Sequence, residues 1–300
     1  MSAFHIDLEE PLEVALRRLL LGQADKICHD LQQRDRIEAI HNARKCCKRI
    51  RALLRLLKPA MPDFCRRENK DYRDLARPLS SLRDRDARKE CFNKLVELDP
   101  AGPRHYRPVR SLLERDRRGW NRRGRSQQIS RGEKSARTAR QRLEALPLPS
   151  GRGFKLIREG LQRSYRQGRK AMKQAYRLDE DSAFHKWRKR AKDMNYQVQI
   201  LIPLWPRVLK HLYKELNKLG DCLGDEHDLV MLRKAIMRGP NEKVPQELLR
   251  SFLGLVEQRI RELKIKARKT GHRIYAESTG AFIKRMKTYW NVSLTKNNHI

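Results

Sequence analysis

The sequence predicts an all-α protein made of two antiparallel four-helix bundles. Three observations point there. Apolar residues recur at steps of three and four along most of the chain, the period of a helix that buries one face. Alternating β-branched runs and Asn-Gly hairpin turns are missing, so nothing reads as a sheet. The pattern of the first half returns in the second, with four long helical stretches in each.

The elements follow in chain order. Leu12, Leu16, Leu19 and Leu20 share one face of a first helix, about 8–32. Ile40, Ala43, Cys47, Ile50, Leu54 and Leu57 line a second, about 36–57, which Pro59 and Pro62 end. Tyr72, Leu75, Leu79, Leu82, Phe92 and Leu95 mark a third, about 63–97, before Pro100, Gly102 and Pro103 break the chain. A basic stretch, about 105–145, reads as a fourth helix interrupted near Gly119–Gly132. Leu146-Pro-Leu-Pro-Ser-Gly-Arg-Gly153 then divides a first repeat, 8–146, from a second, 153–290. Helices are expected there at about 153–178, 181–202, 206–237, 244–270 and 272–290. Residues 291–300 read as a polar, frayed tail.

The two halves keep one register. An ungapped offset of 144 residues, the distance from His41 to His185, also pairs Leu57 with Leu201, Pro59 with Pro203 and Pro62 with Pro206. It pairs Lys70 with Lys214, Leu75 with Leu219, Leu79 with Leu223 and Asp84 with Asp228. Such a shared register reads as an internal duplication.

The repeat carries a row of cations. The first copy is His41-Asn-Ala-Arg44-Lys45-Cys-Cys-Lys48-Arg49-Ile-Arg51, with Arg55 beyond it; the second is His185-Lys-Trp-Arg188-Lys189-Arg-Ala-Lys192. His, Arg, Lys and Lys fall at i, i+3, i+4 and i+7, which is one face of a helix. On that wheel Arg44, Lys45, Lys48 and Arg55 lie within about 60° of His41, and Arg49 and Arg51 about 80° to either side. The apolar residues centre opposite. A basic stripe is usually a solvated outer face. This one lacks the interleaved acids of i,i+4 pairs, places like charges one turn apart, and recurs in register.

This pattern resembles the CHAD family, the conserved-histidine α-helical domain. The resemblance rests on the two rows above, on Leu79-Ser-Ser-Leu-Arg83-Asp84-Arg85-Asp86, and on its second copy Leu223-Gly-Asp-Glu-His227-Asp228. It covers about residues 8–290 as one domain of two repeats. It implies two bundles related by a pseudo-two-fold axis, with the basic helices lining a central groove or pore. It also implies binding of inorganic polyphosphate and association with polyphosphate granules. The residues implicated are His41, Arg44, Lys45, Lys48, Arg49, Arg51, Arg55 and Arg83, with His185, Arg188, Lys189 and Lys192. The second copy departs from the first: Asn195 stands where Arg51 would match, Gln199 where Arg55 would, and His227 where Arg83 would. The first half is therefore expected to contribute more charge. The ExExK mark of the triphosphate-processing domain often fused to this family is absent.

Physical chemistry suits that reading. The chain carries 70 Lys and Arg against 36 Asp and Glu, a net charge of +34. Such an excess repels itself unless a polyanion offsets it. Lys and Arg supply phosphate contacts, and Arg grips two oxygens at once. Protonated His41 and His185 would donate to phosphate, a form that anions favour. Asp84, Asp86 and Asp228 are expected to orient basic side chains rather than bind metal.

Other functions fit less well. Nonspecific nucleic-acid binding follows from charge alone, but aromatics are 6 % and only Trp187 and Tyr196 lie near a stripe. Glu226-His227-Asp228 suggests a metal-dependent phosphohydrolase, yet its counterpart is Leu82-Arg83-Asp84, and P-loop and nucleophile-elbow motifs are missing. No catalytic residue, metal or cofactor is expected. The six Cys include no CxxC pair and read as buried or incidental thiols of a reducing compartment. No apolar run approaches a membrane span, and Met1–Glu10 lacks a signal-peptide core, so the expected location is cytoplasmic.

Overall fold

The structure is a computed structural model that describes residues 4–33, 36–115, 122–238 and 244–297; within these, the side chains of 36–37, 80–86, 114–115, 122–128 and 296–297 are not described. Among the described residues there are twelve α-helices, one 3-10 turn and no strand. The first half holds α1 (Leu12–Gln32), α2 (Arg36–Leu57), α3 (Pro62–Ala76), α4 (Pro78–Val96), α5 (Gly102–His105), α6 (Arg107–Arg115) and α7 (Arg122–Glu144). The second holds α8 (Lys155–Leu178), α9 (Asp181–Ile200), α10 (Pro206–Arg238), α11 (Gln246–Ile274) and α12 (Thr279–Asn297).

Most expected elements stand within a few residues of their periodic pattern, with three differences. The helix expected over 63–97 is two, because Pro78 has no N–H to continue the ladder and its ring crowds the preceding turn. Its counterpart α10 has Cys222 at the matching position and runs unbroken for 33 residues. The basic stretch after residue 100 is divided at Tyr106 between α5 and α6; α7 runs unbroken through Gly124 and Gly132, and the rest of the interruption expected near Gly119–Gly132 lies outside the described residues. α12 runs to Asn297, past the point where the tail was expected to fray.

α1 packs on α2 and α7, α10 packs between α9 and α11, and α2 is central, touching α1, α3, α8 and α9. The approach of α8 to α2 needs a glycine: a β-carbon on Gly160 would stand 1.8 Å from the Leu56 carbonyl oxygen. The α2–α9 contact is polar as well as apolar, since the buried Gln197 Nε2 donates to the Ala52 carbonyl at 3.0 Å.

Two apolar cores result, and both draw on both halves of the sequence. The larger runs from Leu16 and Leu20 of α1 through Ile50 and Leu54 of α2 to Trp187 and Val198 of α9. The smaller joins Phe92, Val109 and Leu113 to Leu232, Phe252 and Val256; the rings of Phe92 and Phe252 stack at 5.3 Å. Cys46 and Cys47 are buried in the larger core, and burial pushes the Cys46 thiol up to about 11. No described helix is long and apolar enough to cross a membrane.

Candidate anion-binding site

The apolar stripe of α2 faces the core, and that placement turns its basic stripe outward. His41, Lys45 and Lys48 are exposed, while Arg44, Arg51 and Arg55 are half-buried. α9 lies beside it with Lys189 exposed and His185, Arg188 and Lys192 half-buried. The two rows converge. Lys189 is held below its usual value by burial, then by Arg190, Arg51, Arg188 and Arg55, so cations of both helices act on it. Lys192 is lowered by burial, with Arg188 and Lys45 pushing the same way. Arg51 is pulled down to about 10, first by burial and then by Arg55. Crowded, partly desolvated cations carry a repulsion that a bound anion relieves.

Two carboxylates temper this crowding. Asp193, buried on α9, accepts from Arg55 Nη1 at 2.7 Å and faces Arg190 Nη2 at 3.3 Å, tying α2 to α9. Burial raises its carboxyl against the pull of both guanidinium groups. Asp221 of α10 lies 3.7 Å from Lys192 Nζ. Neither acid was singled out from the sequence. Asp193 had a signal: it stands 144 residues from Arg49, a reversal of charge within the repeated row.

Small residues on α10 make space for the α9 cations. Lys192 lies across Gly220, where a β-carbon would come within 2.9 Å of Nζ, and Arg188 lies over Gly224 at 3.9 Å. The matching positions of the first half are Ala76 and Ser80, small as well.

The structure gives the remaining members different surroundings. Arg49 turns toward α1 and the N-terminal segment: its Nη1 donates to Gln23 at 3.2 Å and its guanidinium stacks over Phe4 at 4.6 Å. Arg83, with Asp84 and Asp86, lies outside the described side chains, although the α4 backbone is helical there. His185 stacks on His227 with centroids 4.4 Å apart. Burial, then Lys189 and Arg188, lowers His185 to about 4; burial, then His185 and Arg188, does the same to His227. With these neighbours alone His185 rests neutral at neutral pH and offers one N–H. Glu226, adjacent to His227, is buried and pushed up to about 7, chiefly by that burial. Among the described residues no three His, Cys, Asp or Glu side chains cluster to hold a metal.

Two cationic rows of like spacing thus lie on two packed helices of an all-helical chain. The family model of the CHAD domain matches residues 15–236, and the chain belongs to that family. That match spans the whole of α2 and α9. No curated protein sequence matches the chain.

Proposed function

We propose that the protein binds inorganic polyphosphate along the face shared by α2 and α9, and in this way attaches to or organises polyphosphate granules in the cytoplasm. The supporting observation is the convergence of the two rows, with Lys189 in the field of Arg51 and Arg55 and Lys192 in that of Lys45. The ligand contacts are His41, Arg44, Lys45, Lys48, Arg51 and Arg55 on one side and His185, Arg188, Lys189 and Lys192 on the other. Arg83 extends the row on α4. In this reading the two halves descend from one duplicated unit, arranged as two four-helix bundles about a pseudo-two-fold axis with the basic face between them.

The protein acts as a binder rather than an enzyme. Aligned cations favour a polymer that engages many of them together over a single phosphate. Isothermal calorimetry should therefore find tight binding of long-chain polyphosphate and weak binding of orthophosphate; equal affinities would sink the reading. RNA meets the same cations without a stacking platform, so long polyphosphate should displace RNA at fixed salt. Displacement in the other direction would make nucleic acid the partner.

A further inference from the structure

The basic face does not stop at the end of α2. A cleft of about 150 Å³ opens there between α2, α3, α8 and α9, lined by Arg55, Lys58, Arg66, Arg163 and Arg190 over an apolar floor that includes Leu54. The volume is about five times the roughly 30 Å³ share of one water in liquid, enough for a small oxyanion. Arg55 and Arg190 share Asp193 beneath the cleft, and Arg66 faces Asp63 at 3.5 Å in solvent. Lys58 and Arg163 have no acceptor among the described residues. Arg163 also borders a second, open cleft of about 450 Å³, where Arg158 and Arg166 outnumber Glu159.

The matching place in the other half is built differently. At 144 residues' offset, Arg163, Ser164 and Arg190 become Leu19, Leu20 and Cys46, all buried; Lys58 becomes Ile202 and Arg55 becomes Gln199. Only Arg66 keeps a cation, as Lys210. Beside that apolar set the N-terminal segment docks: the Ile6 N–H donates to the Ile200 carbonyl at 2.9 Å, and Phe4 lies under Arg49. One position in the repeated register is thus sealed with core, and the other is left open and lined with cations. Cations without acceptors gathered round a cleft gain nothing for folding, since they repel one another; an anion removes that repulsion.

We propose that this cleft is a second phosphate site, which takes up the polyphosphate chain where it leaves the α2–α9 face. The proposal rests on the polyphosphate reading above. Arg55 belongs to both sites, so the path is continuous. From Arg44 to Lys58 the helix rises about 21 Å, at about 1.5 Å per residue. Short oligophosphates reach one site and long chains reach both, and the linked second contact strengthens binding without new chemistry.

The test compares three double variants by calorimetry and by the salt dependence of binding. Lys58→Ala/Arg163→Ala alters the cleft. Lys45→Ala/Lys48→Ala alters the α2–α9 face. Lys173→Ala/Arg177→Ala removes the same charge from exposed positions of α8 outside the cleft. Long-chain polyphosphate should bind the cleft variant about tenfold more weakly than the wild type, with a salt slope lower by about 1.5, near 0.7–0.9 per lost contact. Tripolyphosphate affinity should fall by less than the long-chain affinity does. The α8 control should change little. A cleft variant that matches the control overturns the second site, provided the face variant still loses affinity. A face variant that also binds unchanged overturns the polyphosphate reading itself. Arg163 is exposed, so Arg163→Glu alone serves as a second probe should the double variant melt at lower temperature than the wild type. It should weaken long-chain binding at least as much.

Discussion

α2 and α9 share a spacing and differ in what surrounds it. On α2, His41, Lys45 and Lys48 stand in solvent. On α9, the matching His185 is stacked on His227, Lys192 is half-buried across Gly220 and near Asp221, and only Lys189 is exposed. The register then exchanges Arg49 for Asp193, Arg51 for Asn195 and Arg55 for Gln199. Three cations are lost and one anion gained, and that anion is spent on Arg55 and Arg190. A repeated motif thus yields two unlike walls: one presents charge, and the other is braced to hold it in place.

The largest expected effect tests the charged wall. Arg44→Ala/Lys45→Ala/Lys48→Ala/Arg51→Ala should weaken long-chain polyphosphate by about a thousandfold, taking roughly 1 kcal/mol for each lost contact. Helicity by circular dichroism should hold, because these residues lie opposite the apolar stripe and like charges one turn apart are removed. Loss of helicity, or unchanged affinity, would show the row to be structural or incidental.

Next comes the contrast between walls. Arg44→Ala/Lys48→Ala should cost more affinity than Arg188→Ala/Lys192→Ala, on the order of thirtyfold against fivefold at one salt concentration. The second pair loses less because Lys192 is already partly neutralised by Asp221. If the α9 pair has no effect on affinity or salt slope, the ligand does not lie between the helices.

The histidine pair distinguishes the walls through pH. His185 and His227 titrate near 4 in the folded chain against about 6.5 unfolded. Between these values the unfolded chain binds more protons, so this pair's contribution to stability is complete above pH 6.5 and is lost as pH falls toward 4. Glu226, raised to about 7, works the opposite way over the same range, because the folded chain then holds its proton more tightly. Urea midpoints from pH 4 to 7 for the wild type and His185→Asn/His227→Asn separate the two. Relative to the variant, the wild type should weaken as pH falls; parallel curves would mean the stacked pair is protonated in the fold.

The smallest effect concerns Arg49. Its guanidinium is engaged by Gln23 and Phe4 and lies 6.0 Å from the ring of Tyr196 on α9, contacts within the protein that already hold it. Arg49→Gln should leave polyphosphate affinity within about twofold and cost about 1 kcal/mol of stability. A drop as large as that for Lys48→Ala would place Arg49 back in the binding row.

Much of this was legible in the sequence because it depends on local rules. Leu12 to Leu20 fixed the face of α1, and Pro59 and Pro62 fixed where α2 ends. The His41 row was legible as a face because helical spacing alone determines it. The break at Pro78 was legible in principle, but the apolar period crosses it from Leu75 to Leu79 and reads as one helix. What spacing cannot carry is which side chains of distant helices meet. The Arg55–Asp193 pair joins residues 138 apart, and His185 meets His227 only through the packing of α9 on α10. The neutral state of His185 follows from that burial, and the contact of Arg49 with Phe4 follows from the docked N-terminal segment.

The smaller core has a consequence for synthesis. Phe92 and Val109 bury their apolar faces against residues such as Phe252 and Val256, which leave the ribosome far later. At about 5–20 residues per second, the roughly 160 residues between Phe92 and Phe252 take about 8–32 s to appear. During that time α4 and α6 have each other but lack the second-half residues that complete their core, while α1 and α2 have already been made and can pair. The nascent chain thus carries an incompletely covered apolar segment for many seconds, long enough for chaperones to reach it before its own second half does.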